Sequence, residues 1–284
     1  MSNNRRNVTL LTAAVVLAVF TAVCAVEFPS LPLLAPASQA VAADVASGDS
    51  LTSAGRNADQ LLAAAIRRVL ACSSIVTRME YSTITPAAAG SGYYLEKGAL
   101  LRRLELKLRG VEQASLLQIS NGRMLWTRCT TQRETMTSET KPPTPLHSPQ
   151  MHLAELGLPG LLAQLKAEYD LVLVGAGKLA DEDVFVLKGV LKRDTLVSRL
   201  PQHAAEIRSG AFSAWSELPE GTPAALIIAL GREDAVPRRI QFHAITDGAA
   251  LAAWPKLETH ETRTIDLRDV QLNQPIASAT FVHP

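Results

Sequence analysis

The chain has 284 residues, 47% of them apolar and 19% charged, and its 28 basic and 27 acidic side chains leave a net charge of +1. Such a balance excludes the basic footprint that holds nucleic acid and the strong field that gathers acidic substrates. The apolar content suffices for a sizeable core in one large domain or two small ones.

The N-terminus is the clearest feature. Arg5 and Arg6 precede an apolar run from Val8 to Val26, which is how a secretory signal reads. Small residues follow late, over Ala37–Ala43, where a peptidase could cut near Ala40 to Ala43. The run is also close to the length that spans a bilayer, so an uncleaved anchor touching the membrane is the rival reading. Both put the rest of the chain outside the cytoplasm. Cys24 follows Thr21-Ala22-Val23, which departs from a lipobox at two positions. Residues 1–43 therefore read as signal or anchor, and 44–56 as a flexible leader rich in small residues. Residues 57–284 form the folded domain.

The domain opens with an amphipathic helix from about Asn57 to Ala71, with Leu61, Leu62, Ala65, Ile66, Val69 and Leu70 at helical spacing. Period two follows. Ile75, Thr77, Met79 and Tyr81 share one face of a strand, and Leu104, Leu106 and Leu108 alternate with Arg103, Glu105 and Lys107. Asn121-Gly122 marks a hairpin, since both residues tolerate positive φ. Residues 138–149 carry four prolines and read as a loop. Met151–Lys166 reads as one or two helices interrupted near Gly157-Leu158-Pro159-Gly160. Further strands are expected at 170–174, 184–190, 226–230, 238–244 and 262–270. A partly helical insert lies between, at about 192–223, broken at Pro201. Eight or nine strands at hairpin spacing predict an α+β fold with one antiparallel sheet.

Motifs for chemistry are absent or fail in context. Gly175-Ala176-Gly177-Lys178-Leu179-Ala180 matches a loose dinucleotide fingerprint, but Asp181-Glu182-Asp183 and a strand follow where a helix N-terminus is needed. A hairpin turn explains it better. The histidines at 147, 152, 203, 243, 260 and 283 have no zinc-helix spacing. No nucleophile elbow is present. The expectation is a protein without catalytic residues, cofactor or metal. Cys72 and Cys129 are either a disulfide, which an oxidising compartment permits, or two separate buried thiols. Trp126, Trp215 and Trp254 read as core aromatics by default.

The order of elements resembles the LolA-like superfamily of periplasmic lipoprotein carriers and related lipid-binding proteins. The resemblance rests on the signal, the amphipathic helix, the strand from Ile75 to Tyr81, Gly92-Tyr93-Tyr94 and Arg102-Arg103-Leu104-Glu105. It continues through Ile119-Ser120-Asn121-Gly122-Arg123-Met124-Leu125-Trp126, the mid-chain helix, Tyr169–Leu187, Arg238-Arg239-Ile240-Gln241-Phe242 and the closing Phe281-Val282-His283-Pro284. It covers roughly residues 57 to 284. It implies a curved antiparallel sheet forming an unclosed half-barrel, with helices packed in or over its concave apolar face. Ligand contact is then expected from Met79, Tyr81, Leu104, Leu106, Leu108, Trp126, Ile240 and Phe242. The implied partner is a lipid or acylated protein, each buried methylene contributing about 0.8 kcal/mol. The alternative is a sensor or scaffold of the same fold that binds another envelope protein, its hollow filled by its own helices. The family's basic Lys-Arg-Pro turn after the second strand, whose Arg helps latch the lid, reads Lys97-Gly98-Ala99 here.

Overall fold

The computed structural model describes residues 51–84, 88–109, 113–141 and 149–283. The expected signal or anchor, Cys24, His147 and Pro284 lie outside the described residues. Helix α1 spans Leu51–Leu70, so residues 51–56, expected in the leader, are helical. Its Ala- and Leu-rich sequence favours helix. Ala58, Leu62, Ala65 and Val69 recur on one face and are buried, while Arg67 and Arg68 stand in the last turn, where the helix dipole favours cations.

Among the described residues eleven strands follow in a single antiparallel sheet. They are β1 (Ser74–Thr83), β2 (Ala88–Lys97), β3 (Leu101–Arg109), β4 (Ala114–Ser120), β5 (Leu125–Thr130), β6 (Thr135–Thr140), β7 (Tyr169–Leu179), β8 (Glu182–Leu191), β9 (Ala225–Gly231), β10 (Pro237–Ile245) and β11 (Thr259–Leu272). Their spatial order is β6-β5-β4-β3-β2-β1-β11-β10-β9-β8-β7, with β6 and β7 left as unpaired edges. The sheet is the expected unclosed one. The strand that sequence reading missed is β6, Thr-Met-Thr-Ser-Glu-Thr, which has one large apolar residue and so no apolar alternation to see.

Three local features shape the sheet. Register shifts in the β1–β11, β10–β11 and β7–β8 pairs, with the extra residue on β11 in the first two and on β7 in the third, add the bends expected of bulges. Asn121 Oδ1 accepts from the N–H groups of Arg123 and Met124 at 3.0 and 2.9 Å, and Gly122 takes φ +80°, closing the β4–β5 turn. Gly92 brings β2 close to β3, and a Cβ there would collide with the carbonyl of Glu105. The Gly175–Ala180 segment lies in β7 and its turn into β8, as a hairpin.

Helix α2 spans Pro149–Glu168 but is broken at Gly157, whose φ of 73° and ψ of 173° are not helical. The insert forms α3 (Arg193–Arg199), a 3-10 turn at Pro201–His203 and α4 (Ala204–Ser209). The two cysteines are free. The disulfide alternative thus gives way to two separate thiols, each with its pKa pushed up by burial. Cys72 leads into β1 and donates to Arg68 O at 3.3 Å, whereas Cys129 lies on β5. Those strands are four sheet spacings apart, about 19 Å at ~4.8 Å each, far beyond bridging reach.

Candidate functional site: an apolar face, its helical cover and a polar clasp

Directly paired residues of an antiparallel sheet lie on the same face. One such line runs Met79–Gly92–Leu106–Leu116–Cys129 across β1 to β5. Another runs Tyr81–Ile265–Ile240–Ile228–Leu187 through the other half of the sheet. Phe242 pairs with Leu226 beside it. Six of the expected ligand residues, Met79, Tyr81, Leu104, Leu106, Ile240 and Phe242, are buried in one continuous apolar cluster, and Leu108 packs against it half-buried.

Trp126 does not belong there. It pairs with Ile119, which pairs with Arg103, so it occupies the outer face, out of phase with Leu104 and Leu106. The chain end covers that place. Phe281 is buried, Arg103 Nη1 donates to Thr280 O at 2.7 Å, and the rings of Trp126 and His283 lie 5.7 Å apart. The closing segment is thus a strap across β3 to β5, not part of the hollow. A surface hollow of about 520 Å³ also opens on the outer face, around the line Arg78–Tyr93–Glu105–Leu117–Arg128.

The inner face is covered by α1 and by α2. Leu62 of α1, with Leu153, Leu158, Leu161 and Leu162 of α2, is at most 1% exposed, as are Met79, Leu104, Ile240 and Phe242 beneath. These described side chains are buried together as in a core.

A group of buried polar residues interrupts the apolar contact. Tyr94, Glu96 and Arg102 are 0, 3 and 7% exposed. Tyr94 Oη donates to Glu96 Oε2 at 2.7 Å. The N–H of Leu158 is shared between Tyr94 Oη and Glu96 Oε2 at 3.2 and 3.1 Å. Arg102 reaches Glu96 Oε1 at 3.5 Å, Glu155 O at 2.7 Å and Ala99 O at 2.6 Å. Leu158 opens the second half of α2, just past the break. Its N–H is one of the donors that a helix start leaves unsatisfied, and a carboxylate there also faces the positive end of the helix dipole. Glu96 thus caps the half-helix from the sheet. Pro159 follows, where its missing N–H costs nothing.

Burial pushes the Glu96 carboxyl above its ordinary range, against the pull of Tyr94, the Leu158 N–H and Arg102. Burial, then the Glu96 charge, push the Tyr94 phenol well up. Gly157 makes the clasp fit, because a Cβ there would strike Arg102 Nε and Glu96 Oε1. Sequence reading noted Tyr94 and Arg102 only as parts of motifs and passed over Glu96 and Glu155. The available signal was phase: Glu96 alternates with Tyr94, and Arg102 with Leu104, so both charges stand in line with the buried set. The guanidinium that holds the cover comes from Arg102 on β3, three residues beyond the Lys97-Gly98-Ala99 turn. Among the described residues no group of His, Cys, Asp and Glu could hold a metal ion, and no helix is long and apolar enough to cross a membrane.

No protein-family model matches the sequence, and no curated protein matches it. Solved structures similar to it include LprF from Mycobacterium bovis, with a TM-score of 0.42 and 9% identity over 78% of this chain and 95% of that one. A LolA superfamily protein from Nitrosomonas europaea has a TM-score of 0.32 and 12% identity over 80% and 97%. The MucA/MucB complex of Pseudomonas aeruginosa has a TM-score of 0.35 and 11% identity over 80% and 61%, so this chain spans about three fifths of that one. The described residues form an open antiparallel sheet with helices packed on it, as the sequence resemblance implied.

Proposed function

We propose that the protein is an exported, non-catalytic binding protein of the cell envelope, which takes the acyl chain of a lipid or of an acylated protein between its sheet and its helical cover. The observation that carries this reading is the continuous apolar inner face, held shut by two helices through one localised polar clasp. Met79, Tyr81, Leu104, Leu106, Leu108, Ile240 and Phe242 would contact the chain in place of α1 and α2. Methylene groups entering that surface each contribute about 0.8 kcal/mol, and the helices they displace set the energy that insertion must exceed.

A second reading is favoured by the dense fill beneath the cover. The helices then stay in place, and the domain is a scaffold that binds another envelope protein. Mass spectrometry of lipids extracted from the purified protein separates the two. An acyl lipid in near one-to-one amount is expected under the first. A lipid-free protein that also takes up no fatty acid when titrated would overturn it.

A further inference from the structure

Arg102 and Arg263 both emerge on the covered face, and they differ in one respect. Arg102 has its donors engaged by Glu96, Glu155 and Ala99. Arg263 does not. It stands on β11 between Thr83 of β1 and Phe242 of β10. It alternates with Ile265 and Leu267, which are 1 and 2% exposed and belong to the core cluster. Its side chain therefore leaves the sheet on the inner side. Its Nε and Nη1 are buried and have no hydrogen-bond partner among the described residues, while the residue as a whole is partly buried.

A guanidinium cannot shed its proton to escape such a setting. Buried donors without acceptors are rare in native proteins and call for an explanation. The neighbouring Tyr169 does not supply a counter-charge. It is 3% exposed, donates its phenol hydrogen to Pro223 O at 2.9 Å, and has its pKa pushed up chiefly by burial, with Arg263 pulling the other way. Across the sheet from Arg263 toward Leu267 and Met79 the surface is apolar, and the polar group at its far end, the clasp, is already satisfied. A positive, donor-rich point at one end of an apolar track matches an amphiphile with a negative head.

We propose that Arg263 receives the oxyanion of an anionic, single-chain lipid whose tail lies along Ile265, Ile240 and Leu267. This rests on the acyl-binding reading above and adds the ligand's charge and direction. The oxyanion is the carboxylate of a fatty acid or the phosphate of a lysophospholipid. Charged hydrogen bonds to a buried donor discriminate strongly, because the uncharged analogue leaves the donor unsatisfied.

The test titrates the delipidated full chain with palmitate, 1-palmitoyl lysophosphatidate and hexadecanol, which share one chain length. At least one anion is expected to bind about tenfold or more tightly than the alcohol. Arg263→Met should remove that difference without weakening hexadecanol, and Arg263→Lys should restore part of it. Thermal melting of each variant confirms the fold, and Arg263→Met should melt no lower than the parent, since it removes unsatisfied donors. The stronger of the two anions identifies the head group. Equal binding of all three probes, or unchanged palmitate affinity in Arg263→Met, overturns this inference and leaves the acyl-binding reading standing. If none of the three binds, both fall.

Discussion

Arg102 of β3 donates from Nη1 to the carbonyl oxygen of Glu155 at 2.7 Å, and so fastens the sheet to α2 immediately before the helix breaks at Gly157. With Glu96 receiving the N–H of Leu158 just after the break, the clasp grips the helix on both sides of its one interruption. The cover is attached to the apolar face at a polar point, where a small change in bonding has a large effect on the whole helix.

Arg102→Leu is therefore expected to destabilise the domain by about 3–5 kcal/mol, since it leaves the Glu96 charge buried without its cation. Glu96→Leu combined with Arg102→Leu should cost clearly less than the two single changes summed, because replacing both partners by apolar groups removes the stranded charge. Urea unfolding of the four proteins in the cycle provides the measurement. Additive losses would mean that the pair is not coupled.

Gly157→Ala should destabilise by at least about 2 kcal/mol. Alanine at φ 73° is strained, and its methyl group would push into Arg102 and Glu96. Hydrogen exchange should quicken in the second half of α2 more than in α1. An unchanged melting curve would show that the helix break tolerates a side chain.

The two faces of the sheet can be told apart by mutation. Leu106 is 3% exposed on the inner face, so Leu106→Asp should prevent stable folding through an unpaired buried carboxylate. Trp126 is only partly buried, on the outer face. Trp126→Ala should cost less than the ~3–5 kcal/mol typical of a core aromatic and chiefly loosen the strap ending at His283. Proteolysis of the chain end and thermal melting read these outcomes separately. A folded Leu106→Asp protein would mean the faces are reversed.

The insert carries a pH-sensitive tie. His203 lies between Glu217, 2.8 Å from Nε2, and Glu206, 3.0 Å from Nδ1. Hydrogen bonding to Glu217, then to Glu206, raises the imidazole pKa above its ordinary 6.5, and the same contact lowers Glu217 from 4.5. The histidine's contribution is fully present below pH 6.5 and is lost as pH rises through its raised value. The Glu217 contribution is present above 4.5 and is lost as pH falls through the lowered value. Amide protection factors over residues 201–217, with the intrinsic pH dependence of exchange divided out, should be highest between those limits and should lose that maximum in His203→Gln. A flat profile in the parent protein would remove the tie.

Much of this fold was legible from period and punctuation. Alternation of apolar and polar residues grouped Met79 with Tyr81 on one face of a strand and Leu104 with Leu106 on one face of another, and all four are buried in the core cluster. Asn121-Gly122 and Gly157-Leu158-Pro159-Gly160 marked a turn and a helix break because glycine, asparagine and proline restrict the backbone locally. Trp126 was misplaced because it was assigned by family position, whereas its phase relative to Leu125, which is buried on the inner face, puts it outside. β6 was missed because an edge strand need not bury either face strongly.

By itself, then, the sequence determined that one antiparallel sheet would have an oily side, and that two apolar helices were available to cover it. Those are properties of neighbouring residues and their periods. Only the tertiary structure decided that the cover is packed tight, that Glu96 and Arg102 meet Leu158 and Glu155, and that Arg263 is left with donors unused. Each of these depends on which side chains from distant segments come within hydrogen-bonding reach. Chain periodicity carries no information on that, because strand order and helix placement are settled by the packing of the whole core.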